Sequence, residues 1–175
     1  MNRPTEAEYA PFYAQYLSLV PEEDLLEVLA GQPAWLSGLV AGVPADRETH
    51  RYEPGKWSVR QVVGHLADVE RVMGHRAFCI SRGEGAPLPG FDENEYVARS
   101  SYEEQDLADV AAGFARAREA NLAVLGNLDA EAWKRRGIAN SSPVSVRALA
   151  FIMAGHPRHH AGVLESRYGI AVPAR

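Results

Sequence analysis

The chain has 175 residues, 46% of them hydrophobic and 23% charged, with a formal net charge of −5. That length suits one domain with a full core, and an acidic balance without a basic patch interleaved with aromatics argues against a nucleic-acid partner. Cys79 is the only cysteine, which excludes an internal disulfide and a cysteine-based zinc site.

The start, "MNRPTEAEYA", has no apolar stretch of the kind a secretory signal needs. The longest apolar run, "ALAFIMAG", is too short to span a bilayer. The expectation is a single cytoplasmic domain over residues 1–175 with no membrane partner.

Strand signals are nearly absent, and Ala, Leu, Glu and Arg fill the long segments, as in helices. After an N-terminal arm over residues 1–20, a first helix is expected from Pro21 to Val40. Proline suits a first turn, and "PEED" puts negative charge at the positive end of the dipole. Pro33 is expected to kink this helix. The second helix is the clearest: Ser58 and Gln61 form a capping box, and Val59, Val62, Leu66, Val69, Met73, Ala77 and Ile80 follow as a core stripe. "SRGEGAPLPGFDENEY" reads as loop, with a short helix after Asp92. A third helix is expected from Glu103 to Asn127, then a short turn of helix at "DAEAW" and a loop, "RRGIANSSPVS". Ser145 caps a fourth helix that ends at Tyr168, with Gly169 as its stop.

Four helices of about 20 residues predict an all-α four-helix bundle. The connection between helices two and three exceeds ~20 residues, longer than a bundle turn needs. It lets the chain cross over and leaves those two helices parallel.

Three of the six histidines fall within "HPRHH", inside the otherwise apolar fourth helix. His156 and His160 lie one turn apart and about 40° apart around the axis, so both imidazoles can converge on one cation. His159 points about 100° from His160. His65, on the second helix, supplies a third imidazole from a face that also carries Asp68. Three nitrogens leave coordination positions open, the pattern of a catalytic centre. The alternative is a set of hydrogen-bonded core histidines, which spacing alone does not exclude.

"GKWSVRQVVGHLADVER", followed about ninety residues later by "SVRALAFIMAGHPRHH", resembles the DinB-like (YfiT-like) family of metal-binding four-helix bundles. The arm "YAPFYAQYLSLVPEEDLL" and the loop "GEGAPLPGFDENEYV" extend the likeness over nearly the whole chain. The resemblance implies an up-down-down-up bundle, frequent homodimers, and His65, His156 and His160 as metal ligands. Pro157 departs from it, since relatives often carry an acid there; it removes the hydrogen bond to Met153 and is expected to bend the helix.

A divalent transition metal such as Zn, Ni or Fe suits three imidazoles. It acidifies what binds its open position, either water for a hydrolase or a thiol for an S-transferase. The resemblance gives weight to the second route, since relatives include transferases and isomerases that use low-molecular-weight thiols, and S-transfer to a small-molecule electrophile is the expectation. A metal-dependent hydrolase and a non-catalytic stress-related dimer are the alternatives. Asp68 is the candidate catalytic residue, as a base or as a partner for a ligand imidazole. Trp57 and Tyr102 are expected in the core or pocket wall, Arg158, His50 and His75 on the surface, and Cys79 buried. The all-round apolar "ALAFIMAG" is expected to serve core and dimer interface together.

Overall fold

Side-chain caps open three of the four long helices. In the computed structural model, which describes residues 2–21 and 24–174, the Ser58 hydroxyl accepts from the Gln61 backbone and the Gln61 side chain returns to the Ser58 N–H. This capping box opens the helix Val59–Ser81, and the whole expected stripe from Val59 to Ile80 is buried. Asp24 caps the helix Leu25–Ala41, so that helix begins four residues later than expected and Pro21 lies outside it. Glu22 and Glu23, on which the expected dipole contact rests, lie outside the described residues.

In chain order the elements are α1 (Ala14–Leu17), α2 (Leu25–Ala41), α3 (Val59–Ser81), α4 (Glu93–Ala98), α5 (Leu107–Leu125), α6 (Ala130–Lys134), β1 (Arg136–Ala139), β2 (Ser142–Ser145) and α7 (Val146–Tyr168). Asp92 caps α4, Ser145 caps α7, and Gly169 ends α7 with a φ of 66° in the left-handed region. The third long helix is shorter than expected. Tyr102–Glu104 forms a separate 3-10 turn, and an extended Gln105 and Asp106 interrupt the path into α5.

The loop expected over residues 135–145 is a β-hairpin instead. β1 and β2 pair antiparallel with Ala139 opposite Ser142, joined by Asn140 and Ser141 at φ 49° and 60°. Two consecutive positive φ values match the twist of a two-residue hairpin turn, and asparagine tolerates them well. Leu88 adds a parallel bridge at Ala139, which ties the long crossover loop to the hairpin.

Cross-helix contacts fix the directions of the bundle. Arg118 of α5 pairs with Glu70 of α3, and Asn121 lies over Gly74 a turn further along both helices, so α3 and α5 run parallel. His65 meets His156 while the earlier Trp57 accepts from Tyr168, so α3 and α7 run antiparallel. Leu25 and Leu29 share a core cluster with Leu149 and Met153, and Leu36 and Leu39 share another with Ala161 and Leu164, so α2 and α7 run parallel. The order is up, down, down, up, as loop length and resemblance predicted.

The run "ALAFIMAG", residues 148–155, is buried all round within this one chain. Tyr16 and Leu17 of α1 and Val144 of the hairpin join its core cluster, so the N-terminal arm covers the face expected to be free for an interface. Among the described residues, no helix is long and apolar enough to cross a membrane.

Candidate metal centre

α3 and α7 cross where each carries histidine. The Nε2 atoms of His65 and His156 are 3.1 Å apart, and those of His160 and His156 are also 3.1 Å apart. One ring nitrogen from each of the three lies within 4.8 Å of the others. Two nitrogens bound to one ion at 2.0–2.1 Å, with angles between octahedral and tetrahedral, stand roughly 2.8–3.4 Å apart. Both 3.1 Å separations fall within that range, so the donor set is spaced to converge on one divalent ion.

Charge agrees with that fit. His65 is 2% exposed and His156 5%. Burial, and then the charge of His159, holds His65 down to about 4. Burial first, and the neighbouring imidazoles second, hold His156 and His160 well below the ordinary histidine value. All three rings are neutral at pH 7 and keep a lone pair for a cation. Nδ1 of His65 is buried and finds no hydrogen-bond partner among the described residues, while Nε2 faces the cluster.

Neighbouring aromatics and glycines hold these rings. Trp57 stacks obliquely on His65 at 4.7 Å between centroids. Tyr16 presents its edge to His156 at 5.4 Å and to His159 at 5.2 Å. It comes so close because Gly155 has no Cβ: one built there would overlap the Tyr16 carbonyl. His159, a quarter turn away, packs on Tyr16 and stays outside the cluster.

Two cavities flank the cluster. One of about 140 Å³ reaches His156 and is walled by Phe12, Tyr13, Tyr16 and Phe91, with Glu93 and Arg76 as its charged groups. The other, about 280 Å³, reaches His160 between Tyr52, Trp57 and Tyr168, with Lys56 and Asn94 on its wall. Glu93 and Asn94 are adjacent in the first turn of α4, so this short helix contributes one side chain to each cavity. A larger groove of about 490 Å³ runs along α2 beside Pro173 and is lined by none of the three histidines.

Asp68 is engaged elsewhere. Its carboxylate accepts from the Tyr102 hydroxyl at 2.7 Å and lies 3.7 Å from Arg71, and it lines neither flanking cavity. Burial raises its pKa, opposed by the Tyr102 hydrogen bond and by Arg71. Tyr102 reaches it by lying flat over Gly64, where a Cβ would overlap the ring. Arg158, expected on the surface, is 7% exposed and donates to the Leu19 carbonyl at 2.7 Å. His75 is exposed, His50 and Cys79 are half-buried, and the Cys79 sulfur is within 3.8 Å of His75. The acid that does line the His156 cavity, Glu93, carried no sequence signal beyond its place in a helical first turn. Its pKa is raised, by partial burial first and Asp92 second.

The fold and this centre define a class: an up-down-down-up helical bundle with three imidazoles converging between its second and fourth long helices. The sequence model of the DinB superfamily matches residues 29–164, and the chain belongs to that superfamily. Among solved structures it is similar to YfiT from Bacillus subtilis, described as a probable metal-dependent hydrolase with an unusual four-helix bundle topology. The two are 21% identical over 97% of this chain and 95% of that one, with a TM-score of 0.74. A DinB-like protein from the same organism shares 18% identity over 87% of this chain and 97% of its own, with a TM-score of 0.59. The comparison with curated proteins finds no match.

Proposed function

We propose that this chain is a metal-dependent transferase in which His65, His156 and His160 hold one divalent transition metal and a low-molecular-weight thiol is joined to a small electrophile. The observation that carries the reading is the pair of cavities, one against His156 and one against His160. Water needs no cavity of its own, whereas a transfer between two small molecules needs two. A divalent ion held by three neutral nitrogens supplies Lewis acidity at its open positions, which favours ionisation of a thiol there.

The chain's own residues do the rest. Glu93, at the rim of the His156 cavity, receives the proton the thiol gives up, which its raised pKa suits. Asp68 remains the second candidate, acting through Tyr102. The aromatic walls of both cavities orient the reactants. The second reading, hydrolysis, draws support from the description of YfiT and needs the same three ligands.

Metal analysis of untagged protein, then parallel assays of thiol conjugation to model electrophiles and of ester and amide cleavage, tests the reading. The expected result is one equivalent of metal and thiol conjugation that a chelator abolishes. Cleavage without conjugation would establish the hydrolase reading, and metal-free protein at neutral pH would overturn both.

A further inference from the structure

Both long helices that contain a proline carry a carbonyl without its ordinary donor. Pro33 in α2 cannot donate to Leu29, and Pro157 in α7 cannot donate to Met153. Neither proline ends its helix. Both orphaned carbonyls receive a hydrogen bond from the same side chain. Arg118 of α5 donates from Nη1 to the Leu29 oxygen at 3.1 Å and from Nη2 to the Met153 oxygen at 2.9 Å.

The remaining donors of that guanidinium are also used. Nε and Nη2 meet the two carboxylate oxygens of Glu70 at 2.7 and 2.8 Å, and Nη1 meets Gln32 Oε1 at 2.6 Å. Those five bonds match the five N–H groups arginine has. Gln32 passes the link on, donating to the Ala154 carbonyl at 2.6 Å. Asn121 donates to Glu70 at 2.7 Å. Arg118 is fully buried, so each of these groups would carry a desolvation penalty if left unpaired. Glu70 needs two of the five donors; two of the other three go to the proline-opened turns. The turn of α7 so held, Met153 to Pro157, is the one from which His156 projects.

We propose that Arg118 is the positioning residue of the histidine centre: its guanidinium replaces the two backbone donors that Pro33 and Pro157 remove and fixes the turn that aims His156. The purpose of that turn rests on the metal reading above, whereas the replacement stands on the hydrogen bonds alone. Lysine keeps the charge opposite Glu70 but lacks the planar fork that reaches two carbonyls at once. Pro157→Ala returns a backbone donor to Met153 and so makes part of the guanidinium's role redundant.

The experiment is a double-mutant cycle of Arg118→Lys and Pro157→Ala, read by cobalt(II) titration followed in the visible spectrum and by melting of the metal-free proteins. Arg118→Lys is expected to weaken cobalt binding by about tenfold or more and to change the spectrum. In the Pro157→Ala background the same change is expected to cost less than about threefold, with a smaller drop in melting temperature. Equal losses in both backgrounds would overturn the proposal. If Arg118→Lys alone does not fold, the double variant is expected to fold, and its failure would count as overturning. Wild-type protein that binds no cobalt overturns the metal reading only, and the melting cycle then decides the role of Arg118.

Discussion

Nε2 of His65 and Nε2 of His156 stand 3.1 Å apart, although 91 positions separate the two residues in the chain. Antiparallel packing of α3 on α7 brings them together, and burial keeps both rings uncharged. His160 completes the set from one turn further along α7. His160→Ala is therefore expected to lose most of the bound metal, since one of three protein ligands and the geometry go together. His159→Ala is expected to retain it, because that ring packs against Tyr16 outside the cluster. Metal content of the two untagged variants, measured side by side, checks this; equal loss in both would remove His160 from the ligand set.

The two acids near the centre are separated by what they touch. Glu93 lines the cavity at His156, whereas Asp68 bonds to Tyr102 and lines neither cavity. Glu93→Gln is expected to lower thiol conjugation by about 100-fold or more while metal content stays at the wild-type level. Asp68→Asn is expected to keep the metal and to cost less than about tenfold, through its positioning of Tyr102. Turnover and metal content measured together distinguish the assignments. A larger loss for Asp68→Asn would return the base to α3.

What the sequence made legible was whatever has a local cause. The Ser58 and Gln61 box, the Ser145 cap, the Gly169 stop and the stripe from Val59 to Ile80 each depend on residues within a few positions. All stand in the structure. The up-down-down-up order followed from the length of one loop together with the resemblance. The hairpin was missed because Gly137, Pro143 and two serines hide its short strands; the only local hint is the two-residue turn at Asn140 and Ser141. Arg118 was missed for a different reason. An arginine in an Ala-rich helix reads as solvated surface, and the demand for its buried donors comes from the distant Glu70, Gln32, Pro33 and Pro157. Gly64 and Gly155 likewise show their purpose only once Tyr102 and Tyr16 lie on them. The three histidines were legible as a converging cluster, but the cavity walls beside them come largely from the arm, the α2–α3 connection and the crossover loop, whose placement depends on tertiary packing.

Acid stability has one well-defined contributor outside the centre. Glu8, 1% exposed, meets Arg147 through two bonds, at 2.7 and 2.5 Å, and receives the Thr5 amide and hydroxyl. The Arg147 guanidinium is the main cause holding this carboxyl far below the ordinary carboxylate range. A depressed folded-state pKa contributes stability that is present above the unfolded value of about 4.3 and is lost as pH falls towards the folded value. Glu8→Gln should lower stability by about 2–4 kcal/mol near pH 7. The gap between variant and wild type should be flat from pH 6 to 8 and should narrow only below about pH 4. Denaturation midpoints across that range check the shape; a gap that narrows already at pH 6 would assign the effect to another group.

Two glycines of α7 turn the same substitution in opposite directions. Alanine is better than glycine inside a helix by about 1 kcal/mol when nothing opposes the new methyl group. At Gly162 nothing lies within 4 Å of a built Cβ, so Gly162→Ala is expected to raise stability by about that amount. At Gly155 the Cβ would overlap the Tyr16 carbonyl and come within 3.0 Å of the Tyr16 Cα. These are backbone atoms, which cannot swing aside as a side chain can. Gly155→Ala should therefore lower stability by about 1–3 kcal/mol, despite the gain in helix propensity. The arm would have to move away from α7, and Tyr16 with it, so the edge contact on His156 and the wall of the smaller cavity would open. Urea denaturation of the two variants measures the sign. A metal titration of Gly155→Ala is expected to show weaker binding and that of Gly162→Ala no change. Stabilisation by both substitutions would mean that the arm does not pack on α7 as described, and that His156 is aimed without it.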